Sequence, residues 1–449
     1  MTPPASTGSA PPLAPASTVV VAIAAATVAV LPVFLTGALT VQVRPSLHLT
    51  TGDIGIAVAA FFGASALCSA TSGALAERAG SVVLMRAAAV VSAVALCGAA
   101  LLADHLWSLA LFLAVGGVGN GATQPAVNQL LTRAVRGGRQ GLAFGVKQAA
   151  IPASTLLSGL AVPTLALTAG WRAAYLAAGV LAAAVTVGLH LLRHRLGASG
   201  SVGSGETVPD ETVPDGDGRD GEDRPGRGWP PTGQDDDRIS GQEPAPAGLA
   251  VRPLLVLAVA MAAAVAASNA MGAFMVPSAV AHGVAPAGLA GLLAAGGSVT
   301  GLTARITFGW LADIGTNRGV AAARRHLATV ATLVAVGTLG YLALGSALSY
   351  LLVPATLLAF GAGWGYNGLF NLAVVRAFPE APARATGITQ IGTYIGGMVG
   401  PLGFGLLVDH QGYDLAWTSC ALMAAVGAGV FVLARRSLGT GQVPAVARA

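Results

Sequence analysis

The 449-residue chain is short of charge. Only 10% of its residues are Asp, Glu, Lys or Arg, against roughly 25% in an average soluble domain. With 54% hydrophobic residues and a mean hydropathy of +0.71, there is too little polar surface to clothe a water-soluble fold of this length. Lysine is nearly missing, Lys147 being the only one. Aromatics make up 5%, few for a membrane barrel with its aromatic girdles. Cys68, Cys97 and Cys420 lie in separate apolar stretches, and an odd count without spacing sets up neither a disulfide framework nor a metal site. There is no His-Glu-x-x-His, and no phosphate-binding loop because Lys147 lacks the glycine pattern before it. ATP-driven transport within this chain is thereby excluded. No cofactor, metal or nucleic-acid partner is expected.

Glycine (61) and proline (25) are abundant instead. Both are tolerated in membrane helices, where small residues let neighbouring helices approach closely. The fold class expected is an all-α membrane protein.

The net charge of +5 hides an asymmetry. Residues 197–250 hold 12 acidic residues against 4 arginines, a net −8, and the remainder holds 20 basic against 7 acidic residues, a net +13. The acidic stretch is rich in Gly, Pro, Ser and Asp and lacks large apolar residues, so it reads as a disordered linker. Residues 1–17 and 437–449 read as tails, and the first tail lacks a signal peptide's basic start. Two bundles remain, 18–196 and 251–436.

A spanning helix needs about 20 mostly apolar residues. Such segments fall at about 18–41, 54–75, 82–102, 106–131, 142–163 and 172–192, then at 254–278, 286–310, 326–346, 349–373, 385–408 and 415–434. Twelve helices follow, six on each side of the linker. Alternate loops carry the arginines: Arg78, Arg86, Arg193, Arg324 and Arg435 belong to one set, and the other holds little beyond Arg44 and Arg172. By the positive-inside bias the arginine-rich set is cytoplasmic. Both termini and the linker are then cytoplasmic, as in a multi-pass protein of the cytoplasmic membrane.

The halves repeat. Gly117, Gly141, Gly159 and Trp171 match Gly363, Gly387, Gly405 and Trp417 at a constant 246 residues. Gly73-Ala74-Leu75-Ala76-Glu77 matches Gly309-Trp310-Leu311-Ala312-Asp313 at 236. Two six-helix halves in one orientation describe parallel repeats, with a solute site between them near the bilayer midplane.

The stretch Gly73-Ala74-Leu75-Ala76-Glu77-Arg78-Ala79-Gly80, with Arg86 downstream, resembles the cytoplasmic signature of the major facilitator superfamily, Gly-x-Leu-x-Asp-Arg-x-Gly followed by basic residues. Gly309 to Asp313 is the second copy. It departs in that Glu77 stands for the usual Asp and no Arg directly follows Asp313. The resemblance implies a secondary transporter working by alternating access, a monomer with no enzymatic activity. It makes Gly73, Glu77, Arg78, Gly80, Arg86, Gly309 and Asp313 candidates for a cytoplasmic gate. The physical basis is an acid beside a helix N-terminus, worth about 0.3–1 kcal/mol.

An ionisable side chain within a span is a functional candidate. Lys147 and Arg305 qualify, and no carboxylate lies well inside a span. Two cations without an acid point to an anionic substrate. Arg305, four residues before Gly309, is similar to the helix-8 arginine of monocarboxylate and oxalate/formate-type transporters, which implies that it holds a substrate carboxylate. A guanidinium suits that group through two parallel hydrogen bonds. Neither charge is repeated, since Ser69 and Thr393 stand at the matching positions.

Candidate polar lining residues are Asn120, Gln124 and Asn128, one stripe at i, i+4, i+8, with Gln148, Asn269, Asn367, Asn371, Gln390 and Tyr394. For each, an interhelical hydrogen bond is the alternative to solute contact. The leading reading is a symporter of a small organic anion such as a monocarboxylate, with a proton as the coupling partner to test, since no carboxylate or histidine inside a span offers a carrier. One alternative is a proton-coupled exporter of amphipathic molecules, although the Gly-Pro motif of drug antiporters stands here at Gly400-Pro401 rather than on segment 5. An alternative of another class is a membrane-embedded sensor or enzyme.

Overall fold

The computed structural model describes residues 15–134, 140–196, 251–314 and 319–438. The expected linker, most of both tails, and Arg136, Arg139 and Arg318 lie outside the described residues. Among those residues the chain is helical, with no strand.

The first half contains α1 (Pro15–Ala38), α2 (Thr40–Leu47), α3 (Thr51–Ala79), α4 (Ser81–Leu102), α5 (Leu106–Ala134), α6 (Gln140–Gln148) and α7 (Ala150–Ala161). A π turn (Val162–Ala166) and α8 (Leu167–Ala169) lead into α9 (Trp171–Leu191), followed by a final turn, α10 (193–196). The second half contains α11 (Val251–Ala281), α12 (Ala287–Ile314), α13 (Gly319–Gly345), α14 (Ser349–Gly361), α15 (Asn367–Ala377), α16 (Pro382–Gln411) and α17 (Tyr413–Ser437). Helix α1 begins three residues inside the expected tail, and α3 outruns its segment at both ends.

Eleven spans are long and apolar enough to cross a membrane among the described residues, counting α6 through α8 as one. The remaining expected segment, 349–373, tenth in order, is not a single helix. It is the 13-residue α14 and the 11-residue α15, joined by turn residues at 362–366. Gly361, Gly363 and Gly365 alternate through this break, so three backbone positions lack the side chains that favour helix.

The span 141–169 is interrupted too, at Ala149 and at the π turn. Proline explains the first interruption. Pro152 has no N–H, so the carbonyl four residues back, that of Gln148, loses its helical donor. Pro163 likewise sits inside the π turn.

The repeat is visible in the packing. Tyr175 Oη and Thr36 Oγ1 are 2.6 Å apart and tie α9 to α1, while Trp417 Nε1 donates to Ser278 Oγ at 2.8 Å and ties α17 to α11. Gly170 (φ 87°) and Gly412 (φ 84°) start α9 and α17 in the left-handed region that favours glycine. Counted from these glycines, Trp417 matches Tyr175, so the match of Trp171 with Trp417 is off by one helical turn.

The halves meet along two seams, α3 against α16 and α6–α7 against α12, with α1 on α11 between them. Glycine sets the approach. A Cβ on Gly37 of α1 would lie 2.6 Å from Ala273 Cα of α11. The core is alanine-rich and closes around Phe34, Phe61, Phe274, Phe360, Trp364 and Phe404.

Candidate functional site

Lys147 and Arg305 are enclosed, with 8% and 1% exposure, and they are the charged side chains buried among the described residues. The carboxylates of Asp53, Glu77, Asp104, Asp313, Glu380, Asp409 and Asp414 stand at helix ends or in loops, outside that enclosed set.

Arg305 reaches both interrupted spans. Its Nε and Nη2 donate to the Trp364 carbonyl at 3.2 and 2.9 Å, and its Nη1 donates to the Gln148 carbonyl. The second acceptor is the carbonyl that Pro152 leaves without a helical donor. The first lies in the glycine-rich break, where Asn367 Nδ2 also donates to it at 3.2 Å. Tyr341 Oη serves the adjacent Gly363 carbonyl at 3.0 Å. Arg305 therefore bridges the halves through freed backbone rather than facing an open cavity. Its guanidinium carbon stands 5.6 Å from the Trp364 ring centroid, and Phe34 packs edge-on against that ring at 5.2 Å.

Lys147, next to Gln148, forms no hydrogen bond or ion pair among the described residues. The Tyr394 hydroxyl is buried beside Ser69 and Gln390. The Lys147 side chain is largely buried while its ammonium nitrogen keeps some exposure, and an unpaired cation so placed within a span is a functional candidate.

The other expected lining residues divide. Asn120 Nδ2 donates to Ser65 Oγ at 3.1 Å, and Gln124 Nε2 reaches Asn120 Oδ1 at 3.4 Å. The first two members of the α5 stripe are thus joined to α3 inside one half. Asn269 is buried on α11, and a Cβ on Gly397 would fall 2.9 Å from its Nδ2, which puts it where α11 meets α16. Gln124, Asn128, Gln148, Asn371 and Gln390 are half-buried. A groove of about 460 Å³ opens between α12, α13 and α14, lined by Val299, Thr303, Phe308, Leu333 and Ala362, and includes neither cation.

At the arginine-rich face, Asp313 accepts the N–H groups of Gly141 and Leu142, both at 2.7 Å, in the first turn of α6. Arg376 Nη2 lies 3.8 Å away. Gly309 and Gly141 touch backbone to backbone at the same level. In the first signature copy, Gly80 (φ 87°) makes the turn between α3 and α4, Glu77 and Arg78 are exposed, and Arg86 is half-buried with its Nε unpaired among the described residues. Gly73 meets nothing within 4 Å. The two copies are thus in different surroundings, the second contacting the first half through Asp313 and Gly309.

Sequence reasoning missed Asp409. Standing near the end of α16, it accepts the N–H groups of Thr51 and Gly52 across the halves at 2.9 and 2.7 Å. An acid near the end of α16 gains its meaning only once that end is set against the start of α3. Among the described residues, no three His, Cys, Asp or Glu gather in a way that would hold a metal.

Eleven spans long and apolar enough to cross a membrane among the described residues describe a polytopic membrane protein. The sequence model described as the Major Facilitator Superfamily matches residues 16–401, and the chain belongs to that family. It is accordingly a secondary transporter. No curated protein matches this chain.

Proposed function

We propose that this transporter moves a small organic anion, a monocarboxylate or close relative, bound between the halves at Arg305 and Lys147. The observation that carries this is the pair of enclosed cations with no enclosed carboxylate among the described residues. A carboxylate offers the guanidinium a full negative charge and two parallel hydrogen bonds, where the two carbonyls that Arg305 now holds offer only partial charge. It also answers the ammonium of Lys147. The helix-8 placement of Arg305, similar to that in monocarboxylate and oxalate/formate-type carriers, supports the same class. The arginine-rich face is taken as cytoplasmic, by the positive-inside bias.

The test is uptake of labelled carboxylates by the reconstituted protein, with and without a pH gradient, beside Arg305→Ala. Uptake that is inhibited by other carboxylates and lost in the variant is the expected result. Stimulation by an inward proton gradient identifies a symporter. Absence of uptake or competition by any carboxylate contradicts the anion reading.

A further inference from the structure

The two seams between the halves are built from matching glycines but are closed differently. On the α6–α7/α12 seam, a Cβ on Gly159 would lie 2.5 Å from the Gly291 carbonyl, near the arginine-poor face. At the arginine-rich end, Gly141 and Gly309 are in backbone contact. This seam is shut at both ends and is bridged by Arg305 in between.

The α3/α16 seam is its repeat mate. Gly55 and Gly291 are 236 apart, and Gly159 and Gly405 are 246 apart, as in the signature pairs. Near the arginine-poor face it is equally tight. A Cβ on Gly55 would lie 2.7 Å from the Pro401 carbonyl, and one on Gly405 would lie 2.6 Å from that of Thr51. Gly73 follows Gly55 by 18 residues, and Gly387 precedes Gly405 by the same number. At 3.6 residues per turn that is five turns, so each glycine lies on the seam face of its helix. Yet both Gly73 and Gly387 meet nothing within 4 Å. Among the described residues, this is the seam end at which neither glycine meets a neighbour. Between the two ends the helices still touch: Phe62 meets Gly397, 2.7 Å from where a Cβ would sit to the ring, and beyond it the buried Tyr394 hydroxyl stands beside Ser69 of α3.

Asp409 stands at the closed end of the parted seam. The first four N–H groups of a helix have no partner within it. In α3, Thr50 and Asp53 satisfy two of these through a reciprocal capping box, at 2.9 and 3.1 Å. The remaining two, Thr51 and Gly52, go to the Asp409 carboxylate, from the other half of the molecule. The repeat position of Asp409 on the other seam is Pro163, which has no acid to offer. The clamp therefore belongs to the parted seam alone.

We propose that the α3/α16 seam rocks about its middle, where Phe62 meets Gly397 and Tyr394 meets Ser69, and that Asp409 is the clamp holding its arginine-poor end shut while its arginine-rich end, at Gly73 and Gly387, is open. Release of Thr51 and Gly52 lets that end part. The proposal rests on alternating access and not on the identity of the solute.

The test uses the full chain in lipid nanodiscs without substrate. Cys68, Cys97 and Cys420 are replaced by alanine, and nitroxides are attached at Ser46→Cys and Gln411→Cys, exposed positions at the arginine-poor ends of the two halves. Pulsed dipolar spectroscopy reads the distance between them. Asp409→Ala is expected to shift population to longer distance, and Asp409→Asn to do so by less, because it keeps an acceptor without the charge. Asp414→Ala, whose carboxylate pairs with His282 of its own half at 3.2 Å, is expected to leave the distribution unchanged. Distributions identical in all variants overturn the clamp, and an equal shift in Asp414→Ala overturns its assignment to Asp409. Since no solute is present, failure of the anion reading leaves this result intact.

Discussion

At the scale of single residues, the account turns on what answers a buried polar group. Arg305 is enclosed without a carboxylate, yet it is not bare, because two interrupted spans supply carbonyls to it. One of those acceptors exists because Pro152 cannot donate. Pro152→Ala restores that donor and lets the Gln148 carbonyl bond within its own helix. We expect slower amide exchange across 148–153 and a weaker hold of Arg305 on the first half, measured by hydrogen exchange with mass spectrometry. Unchanged exchange there would show that the interruption has another cause. Lys147→Met keeps length and apolar stem while removing the charge. If the ammonium is part of the anion site, half-saturation for uptake rises by about tenfold, which is on the order of 1.4 kcal/mol. The charges themselves were legible in the sequence, since ionisable residues inside spans stand out against alanine. Their partners were not, because a backbone carbonyl leaves no mark on composition.

Helices carry the next level. Their number and order follow from apolar length, and eleven of the twelve segments appear as candidate spans. The exception had a visible cause in Gly361, Gly363 and Gly365, but apolar length alone reads straight through a break that keeps its hydropathy. Glycine matters most where two backbones touch. A side chain on Gly309 would run into the Gly141 carbonyl, so Gly309→Ala is expected to destabilise the purified protein by about 1–3 kcal/mol, the usual cost of overpacking. Gly73→Ala meets open space here and is expected to leave thermal stability unchanged. If the seam at Gly73 closes in the opposite state, the same variant slows turnover. A melt of both variants, beside initial rates of uptake, separates these effects. Equal melting of the two would remove the distinction between a shut seam and a parted one.

Over the whole molecule, the scarcity of charge becomes an arrangement. The arginines gather at one face, the helix-end acids Asp313 and Asp409 hold helix N-termini across the halves at opposite faces, and two cations stay inside. The family was legible in the signature from Gly73 to Gly80. The unequal closing of the two seams was not, because matching glycines look alike in sequence whether or not they touch. The central claim is that the enclosed cations select an anion, and solute counterflow tests it without a coupling ion. Vesicles holding the protein are loaded with an unlabelled monocarboxylate and diluted into the labelled one. Transient accumulation of label by the native protein, abolished in Arg305→Ala and absent for a neutral amide of the same shape, is the predicted result. Equal counterflow of the amide, or undiminished counterflow in Arg305→Ala, would contradict it.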